Sequence, residues 1–551
     1  MKHWLFIFLL LIPLVSSAEI INDYNNLDTL NMEVKISSEF QLDRLRKDSN
    51  IDFIEANVTI FPRDSHNAKV LNLNSNTDAI FIQGEDMLSF RWENPDKNLF
   101  KIGLESEIKT NNVLHNINSE LKFPIDEINS QYTYPTQYID INKEIFNQAV
   151  EIVKYEDNLF DATFEIARWI ESNIKYNLST LTEDVVQPSS WVLQNKEGVC
   201  DELTNLFISM TRSLGIPSRY VTGVAYTNLI GDWGPHAWAE VYFPEIGWVP
   251  FDVTYGQFGW IDPTHIKLKT TLDSGDPSIK YIWRGKRVDF NAKEIDIDTS
   301  LVSKGEKINN LASLKIIPLL DNVGPGSYVP FEVKIKNNNP NYLPEKIVVT
   351  KASDLTERNV KFILLKPGEQ NSLFWITQIP RDLEPYTRYF TTLEVEDVFH
   401  DKAQYNLSYS LGKEIISLEK AQSLIKTQEK NFIIQNIPSS PFLQIKNFEY
   451  NQNPSYKEAL EINFILEIVE PAQNVRILIN NKEILKLDSI DSTKKVKLNL
   501  KGKDFLGNKF KIIVEYEDKN GKSYSLEQSL PMVIKDFPWY IVLLKVLKII
   551  D

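Results

Sequence analysis

The sequence predicts a multidomain α+β protein. Its 551 residues are enough for about three or four domains. Residues 19–140 and the chain after residue 304 consist of short runs in which apolar and polar residues alternate, the pattern of half-buried strands. Between these parts the apolar residues recur with helical spacing, at 145–152, 160–174 and 203–214. We therefore predict a mixed α and β domain that is flanked by β domains.

Residues 1–18 have the pattern of a secretory signal. Lys2 precedes an apolar run from 4 to 15, and Ser16-Ser17-Ala18 provides a cleavage site with small residues. The run is shorter than the roughly 20 residues that a membrane-spanning helix needs. No cysteine follows the cleavage site, which excludes a bacterial-type lipoprotein anchor. We expect a secreted or cell-surface protein.

The charge balance argues against a nucleic-acid partner. The formal net charge is −15, so the chain has no excess of positive charge to offer phosphate groups. With 25% charged and 42% hydrophobic residues, its composition is that of ordinary globular domains.

Residues 19–140 are predicted to form an antiparallel β domain without a chemical motif. Alternating runs at 31–36, 53–61, 79–83 and 99–108 are separated by Asn, Asp and Pro. His66 and His115 occur there singly, without the spacing of metal ligands, and both are expected at the surface.

Cys200 is the single cysteine of the chain and has no partner for an intramolecular disulfide. Apolar residues follow it with the spacing of an amphipathic helix that ends before Gly215, so the thiol lies in the first turn. Free N–H groups and the helix dipole stabilise a thiolate there, and we expect the thiol pKa to fall from about 8.5 toward neutrality. Such a thiol suits nucleophilic catalysis, although a lone buried cysteine is also found as an inert small hydrophobe.

Three predicted strands follow the helix, at 218–226, 236–243 and 247–251. His236 lies on the second strand, and the third delivers Asp252 at its end. An imidazole and a carboxylate thus come within reach of the thiol. His236 is the expected general base and acid, and Asp252 is expected to fix the tautomer of the imidazole.

These motifs resemble the transglutaminase-like superfamily of papain-like cysteine enzymes. The sequence contains, in order, Gly198-Val199-Cys200, Gly215-Ile216-Pro217-Ser218-Arg219, His236-Ala237-Trp238-Ala239-Glu240-Val241-Tyr242, and Gly247-Trp248 followed by Asp252-Val253-Thr254. Val253 stands where the family often has proline. The resemblance covers residues 141–290 and implies a papain-like, transglutaminase-like α+β catalytic core with the triad Cys200, His236 and Asp252.

Further site residues are indicated by position alone. Gln194 and Trp191 are candidates for the second donor of an oxyanion hole, and Trp233 for a wall of the substrate cleft. Each of them is equally compatible with packing or a helix face. Asp262 and His265 are predicted to be structural, with Asp262 as a substitute partner for the catalytic histidine. Metal ligands do not cluster in the sequence near the site, so we predict no cofactor.

The chain after residue 304 is predicted to contain two immunoglobulin-like β-sandwiches, at 305–411 and 436–536. A segment rich in Lys, Glu and Gln, 412–435, joins them as a linker or a helix. The sequence shows no close internal repeat between the two. The tail, 537–551, is apolar but contains Lys545 and Lys548, a pattern that suits a helix at a membrane surface or a final docked helix or strand.

The sequence therefore predicts an exported cysteine enzyme that attacks a protein amide or peptide carbonyl and forms a thioester. Resolution by water would make it a peptidase or amidase, and the family resemblance favours this outcome. Resolution by an amine would make it a protein cross-linking enzyme. The alternative is a non-catalytic surface protein in which the domain serves as a binding or scaffold module.

Overall fold

The computed structural model describes residues 24–541 apart from short gaps at 126–129, 155, 181–185, 309, 383, 385–386, 437–442, 469–470, 481, 506–508, 518–522, 537 and 539–540. The predicted signal, 1–18, lies outside the described residues, as does nearly all of the tail, 537–551. Among the described residues, none of the helices combines the length and the apolar character that crossing a membrane requires.

The N-terminal part of the chain is built from strands, as predicted. They are β1 (Thr29–Arg44), β2 (Asn50–Val58), β3 (Ala68–Ser75), β4 (Ile80–Gln83), β5 (Leu88–Glu93) and β6 (Leu99–Asn111). In β1 every second residue from Leu30 to Leu42 is buried, because successive side chains of a strand point to opposite faces of the sheet.

The next part of the chain combines helices with strands, and we call it the thiol-bearing domain (143–271). Its elements are α1 (Lys143–Val153), α2 (Leu159–Asn173), β7 (Lys175–Tyr176), α3 (Ser189–Asn195), β8 (Glu197–Gly198), α4 (Cys200–Ser213), β9 (Ser218–Thr227), β10 (Asp232–Phe243), β11 (Gly247–Asp252), β12 (Gln257–Phe258) and β13 (Ile266–Thr271). The last five strands form one antiparallel sheet in the order β12-β11-β10-β9-β13. The helix that was predicted after Cys200 and the strands that were predicted to follow it are confirmed.

Helix α4 packs on one face of this sheet. Its apolar side recurs every three or four residues, and alternate residues of β10 meet it in one core, whose members include Leu203, Leu206, Phe207, Met210, Ala237, Ala239, Val241 and Phe243. The other set of alternate residues on β10 contains His236, Trp238 and Glu240. The packing of α4 therefore decides which face of the strand carries the histidine.

After β13 the chain returns to the N-terminal strands. Strands β14 (Ile279–Lys286), β15 (Val288–Ala292) and β16 (Asp296–Lys304) pair with β2 or β1. Two sheets result, β15-β1-β6-β3 with β16 also on β1, and β14-β2-β5-β4; we call them the N-terminal β unit. The predicted boundary at 290 is therefore wrong, since residues 279–290 belong to this unit. Pairing between strands so distant in the chain leaves no local signal in the sequence.

One of the two histidines predicted at the surface is buried. His115 is 7% exposed and its ring stacks on exposed His66 at a centroid distance of 3.8 Å. Burial, together with the neighbouring His66, lowers the pKa of His115 to about 3, so the ring is neutral.

Two further units follow, and each consists of a three-stranded and a four-stranded sheet around a common core. The first sandwich contains β17 (Ala312–Pro318), β18 (Tyr328–Asn337), β19 (Leu343–Lys351), β20 (Val360–Leu365), β21 (Gln370–Gln378), β22 (Arg388–Glu396) and β23 (Lys402–Ser410). Helix α5 (Leu418–Asn436) occupies most of the segment that was predicted to be a linker or a helix. The second sandwich contains β24 (Leu443–Tyr450), β25 (Ala459–Ile468), β26 (Ala472–Ile479), β27 (Lys482–Ile490), β28 (Lys494–Lys501), β29 (Lys509–Glu517) and β30 (Ser523–Pro531).

The two sandwiches share one topology. Their sheets are β17-β18-β21 with β20-β19-β22-β23, and β24-β25-β28 with β27-β26-β29-β30, so each strand of the first has a counterpart at the same place in the second. The sequence shows no such repeat, because many alternating patterns produce the same strand order. Their immunoglobulin-like character stays a prediction.

The first sandwich packs against the thiol-bearing domain just beyond Asp252. Phe362 stacks on Phe258 at 5.0 Å, and Phe399 stacks on Trp260 at 4.8 Å. Lys346 Nζ donates a hydrogen bond to the carbonyl oxygen of Tyr255 at 2.9 Å. These contacts hold the segment that follows Asp252 against the first sandwich.

Candidate active site

Cys200 is the first residue of α4, as predicted. The Glu202 carboxylate accepts a hydrogen bond from the backbone N–H of Val199 at 3.0 Å and so closes the end of the helix. Gly198 pairs with Tyr176 in the short parallel ladder of β7 and β8, which holds the approach to the helix. The sulfur lies between the Asp201 carboxylate, 3.6 Å from Sγ, and the backbone N–H of Ala237, which donates to the sulfur. The thiol therefore sits beside the peptide unit that follows His236.

The thiol is neutral in this arrangement. Burial of the sulfur raises the pKa of Cys200 well above its usual value, and the neighbouring Asp201 carboxylate raises it further. The Tyr220 hydroxyl donates to Asp201 Oδ1 at 2.8 Å and holds that carboxylate beside the thiol. The expectation of a lowered pKa is therefore wrong, because it counted the helix dipole and not the acidic side chain next to the cysteine.

His236 and Asp252 form a buried pair. His236 Nε2 lies 2.7 Å from Asp252 Oδ2, and both residues are at most 6% exposed. Strand register produces this contact, since β10 pairs with β11 and places Ala239 opposite Phe251. Because Nε2 is engaged by the carboxylate, Nδ1 is the ring nitrogen that remains for a reacting group. The His236 ring also stacks on Tyr255 at 4.5 Å.

Asp252 is held as a carboxylate. Its Oδ1 accepts the backbone N–H groups of Thr254 and Tyr255 at 2.8 and 3.0 Å. Burial by itself would raise the pKa of Asp252, but His236 and His265 hold it well below its usual range. Donors on both oxygens thus fix the orientation of the group that His236 contacts.

A second histidine binds the same carboxylate oxygen, which the sequence analysis did not anticipate. His265 Nε2 lies 3.0 Å from Asp252 Oδ2, and His265 Nδ1 lies 3.0 Å from Asp262 Oδ1. Asp262 and His265 were predicted to be structural. In the structure they continue a hydrogen-bonded row that begins at His236. The i, i+3 spacing of Asp262 and His265 was the one local signal of their contact.

The ligand atoms of His236, Asp252 and His265 lie within 4.8 Å of one another, a spacing that would also suit a metal ion. The same atoms are hydrogen-bonded to each other at 2.7 and 3.0 Å. These hydrogen bonds account for the spacing.

The three weaker candidates lie in different surroundings. Trp191 is partly buried and packs against the core of the thiol-bearing domain, and Gln194 is exposed on α3. Trp233 packs against the N-terminal β unit: its Nε1 donates to the Thr264 carbonyl at 3.1 Å, and its ring stacks on Tyr24 at 5.7 Å. Trp233 and Trp191 thus have packing roles.

A tyrosine that the sequence analysis missed lies near the sulfur. Burial raises the pKa of Tyr176 to about 12, with Cys200 and Asp201 as the next contributors. Tyr176 is nevertheless 41% exposed, so it is a residue near the sulfur that is also open to solvent.

The structure thus places a cysteine at a helix N-terminus and a buried imidazole–carboxylate pair in the same domain, as the motifs predicted. Residues 147–253 match the model of the Transglutaminase-like superfamily. The chain therefore contains a transglutaminase-like domain, which confirms the resemblance seen in the motifs.

The similar proteins cover parts of the chain. The uncharacterized protein YebA of Bacillus subtilis (strain 168) is 27% identical over 191 residues, which are 30% of this chain and 25% of that protein. The uncharacterized protein ML0607 of Mycobacterium leprae (strain TN) is 29% identical over 126 residues, 22% of this chain and 43% of that protein. The chain thus spans less than half the length of both relatives.

Among solved structures, one described as a candidate cysteine protease from Cytophaga hutchinsonii has a TM-score of 0.37 at 15% identity, and the match covers 50% of this chain and 92% of that one. Red sea bream transglutaminase has a TM-score of 0.18 at 10% identity, with 88% of this chain and 92% of that chain covered.

Proposed function

We propose that this chain is a thiol-dependent enzyme that attacks protein amide or peptide carbonyl groups, with Cys200 as nucleophile, His236 as general base and acid, and Asp252 as the partner of His236. The observation that carries the proposal is the 2.7 Å contact between His236 Nε2 and Asp252 Oδ2, which leaves Nδ1 as the ring nitrogen for a reacting group, while the backbone N–H of the next residue, Ala237, binds the Cys200 sulfur. Glutamine carboxamides and main-chain peptides are the substrate groups that fit this chemistry.

The proposed reaction starts from an uncharged thiol and an uncharged imidazole. As Sγ forms a bond to the carbonyl carbon, His236 Nδ1 accepts the thiol proton. The carbon–nitrogen bond then breaks, and the amine or ammonia leaves with that proton, so a thioester to Cys200 remains. His236 next accepts a proton from water, whose oxygen attacks the thioester carbonyl. The carboxylic acid leaves and the thiol regains its proton.

The backbone N–H of Cys200 is the proposed oxyanion donor. It belongs to the first turn of α4, where backbone N–H groups have no partner within the helix. The neighbouring N–H of Val199 is engaged by Glu202 at 3.0 Å, so it is not available for this role. One donor of this kind is worth about 3 kcal/mol of transition-state stabilisation.

Water is the proposed acceptor of the acyl group, which makes the enzyme a peptidase or amidase. A lysine amine in place of water would give a cross-linked protein. We further propose that the enzyme is exported, on the signal pattern of residues 1–18, and that the two sandwiches are immunoglobulin-like modules that hold the thiol-bearing domain at a surface.

The competing proposal is a non-catalytic binding module. The observation in its favour is the raised pKa of Cys200, caused by burial and by Asp201, since an unreactive thiol needs no activation. The two proposals differ in whether the thiol accepts an acyl group.

The deciding experiment is an active-ester burst with p-nitrophenyl acetate, followed by intact mass. We expect one equivalent of nitrophenolate and a hydroxylamine-sensitive acetyl group on the single cysteine. His236→Ala should slow the burst at least about 100-fold, the usual contribution of a general base. His115→Ala is the matched control, because this buried histidine takes no part in the hydrogen bonds that join His236, Asp252 and His265.

A wild-type protein without a burst, or a burst that His236→Ala leaves unchanged, would support the binding module. Addition of a primary amine during turnover separates the two acceptors. Hydrolysis predicts the free acid, whereas cross-linking predicts the amide.

A further inference from the structure

We propose that His265 is a positioning residue of the site: an imidazolium held between Asp252 and Asp262, which keeps the Cys200–His236 pair uncharged until substrate arrives. The role in catalysis rests on the proposed function, whereas the charge of His265 can be established without it.

The hydrogen bonds themselves require this charge. The two ring nitrogens of His265 each lie 3.0 Å from a carboxylate oxygen, and the side chain is fully buried. An ionised carboxylate only accepts hydrogen bonds, so a ring nitrogen that bonds to it must carry a proton. Two such bonds put a proton on both nitrogens, and the ring is then positively charged.

Both carboxylates are ionised, because donors occupy their oxygens. Asp252 Oδ1 accepts two backbone N–H groups, as described above. Asp262 Oδ1 accepts the N–H and the hydroxyl of Thr264 at 2.8 and 2.6 Å, and Asp262 Oδ2 accepts the Gln257 amide at 2.6 Å. Each of these oxygens therefore already receives at least one N–H donor, which favours the ionised form of both carboxylates. The pKa of His265 agrees: burial alone would lower it, but Asp262 and Asp252 raise it to about 10.

This cation weakens the field that Asp252 exerts on His236. Asp252 Oδ2 is shared between His236 at 2.7 Å and His265 at 3.0 Å. The rings of His236 and His265 are 5.6 Å apart, and Asp262 lies on the far side of His265. A proton on His236 would place two cations at that distance, and the shared oxygen would stabilise it less than an unshared carboxylate would.

The aromatic groups around the two rings carry no charge, and the ammonium of Lys346 acts on Asp252 in the same direction as His265. Tyr255 stacks on His236 at 4.5 Å and meets His265 edge-on at 5.5 Å, and burial raises its pKa, so it is neutral. Trp238 packs against both rings without a charge. Lys346 of the first sandwich points its ammonium at the Tyr255 carbonyl.

The charges near the sulfur act in the same direction. The carboxylate of Asp201 contacts Sγ, and the carboxylate of Glu202 binds the N–H of Val199. The hydroxyl groups of Tyr220 and Tyr176 remain protonated, because burial raises the pKa of both. Negative charge beside the sulfur disfavours a thiolate, and His265 disfavours a protonated His236. Together they favour the neutral pair.

The test compares the rate of iodoacetamide alkylation of Cys200 against pH in wild type, His265→Gln and His115→Gln. Loss of the cation restores the full field of Asp252 at His236 and favours the thiolate–imidazolium pair. We expect the midpoint of the His265→Gln profile to move to lower pH by about one unit, which is about tenfold in rate at a pH below the midpoint. The His115→Gln profile should coincide with that of wild type. A His265→Gln profile that coincides with wild type in a folded protein overturns the proposal.

A second measurement does not depend on a variant that folds. Selective ¹⁵N labelling of histidine gives few side-chain signals, since the chain contains six histidines. We expect both nitrogens of His265 to remain protonated from about pH 6 to 9, and exposed His66 serves as the reference signal for a histidine at the surface. A neutral or titrating His265 overturns the proposal, even where the ester burst confirms the enzyme. If His265 is an imidazolium but the protein gives no burst, the proposed function is refuted and the charge of His265 still stands.

Discussion

Replacing Asp201 by Asn should make the Cys200 thiol more reactive. The change removes the negative charge whose Oδ1 lies 3.6 Å from Sγ and keeps an oxygen for the Tyr220 hydroxyl, which donates to Oδ1 at 2.8 Å. The thiolate is then no longer repelled by a neighbouring carboxylate. The sign is therefore a fall in the pKa of Cys200, which burial and Asp201 raise in the wild type.

The size of the effect follows from the distance. Two unit charges about 4 Å apart interact by about 4 kcal/mol at an effective dielectric constant of about 20. Asp201 is partly exposed, so solvent screens this repulsion. We expect a fall of about one to two pKa units, or roughly 1.4 to 2.7 kcal/mol. The thiolate fraction at neutral pH then rises about ten- to 100-fold, but a less basic thiolate is a weaker nucleophile, so the rate should rise roughly 3- to 13-fold.

The assay is the reaction of Cys200 with a small aromatic disulfide at pH 7, followed by absorbance. Glu144→Gln is the matched control, because it removes an exposed acidic residue from the first turn of α1. An unchanged or lower rate in Asp201→Asn, in a protein that remains folded, would refute the assignment of the raised pKa to Asp201.

Three further predictions concern stability. Glu202→Ala removes the acceptor of the Val199 N–H and should lower the free energy of unfolding by about 1 kcal/mol, as measured by urea titration; no change would show that water replaces the cap. The pKa of His265 is about 10 in the fold against about 6.5 in the unfolded chain. Protonated His265 therefore stabilises the fold fully below about pH 6.5, and this stabilisation is lost as the pH rises toward 10. The stability advantage of wild type over His265→Gln should shrink over that range. A pH-independent difference would contradict this. Phe362→Ala, which removes the ring stacked on Phe258, should cost about 3 to 5 kcal/mol, whereas Phe390→Ala, at a side chain that is 59% exposed, should leave the melting temperature nearly unchanged; equal effects would contradict the packing argument.

The local spacing of apolar residues was sufficient to predict the elements that carry the candidate site. The apolar spacing after Cys200 and the alternation in residues 236–243 predicted α4 and β10, because both patterns repeat within a few residues. Position at the end of β11 then predicted that Asp252 would meet His236, and the two atoms lie 2.7 Å apart. The roles of these residues in catalysis stay a prediction.

The state of the thiol could not be predicted in the same way. The helix N-terminus is visible in the sequence and indicates a lower pKa. Two features raise the pKa instead: the burial of the sulfur, and the Asp201 carboxylate, which Tyr220 holds beside it. Both depend on packing between α4 and the sheet, and the adjacent position of Asp201 in the chain does not reveal which way its carboxylate points.

The sequence by itself determined the helix that starts at Cys200, the strands that carry His236 and Asp252, and the transglutaminase-like domain they define. The tertiary structure decided which groups surround them. Strands β12 and β13 lie at opposite edges of the sheet, so the connection 259–265 must pass from one edge to the other, and it brings Asp262 and His265 to Asp252. The pairing of 279–304 with the N-terminal strands was decided in the same way. Contacts between distant segments depend on the order of strands in a sheet, which hydrophobic periodicity does not encode.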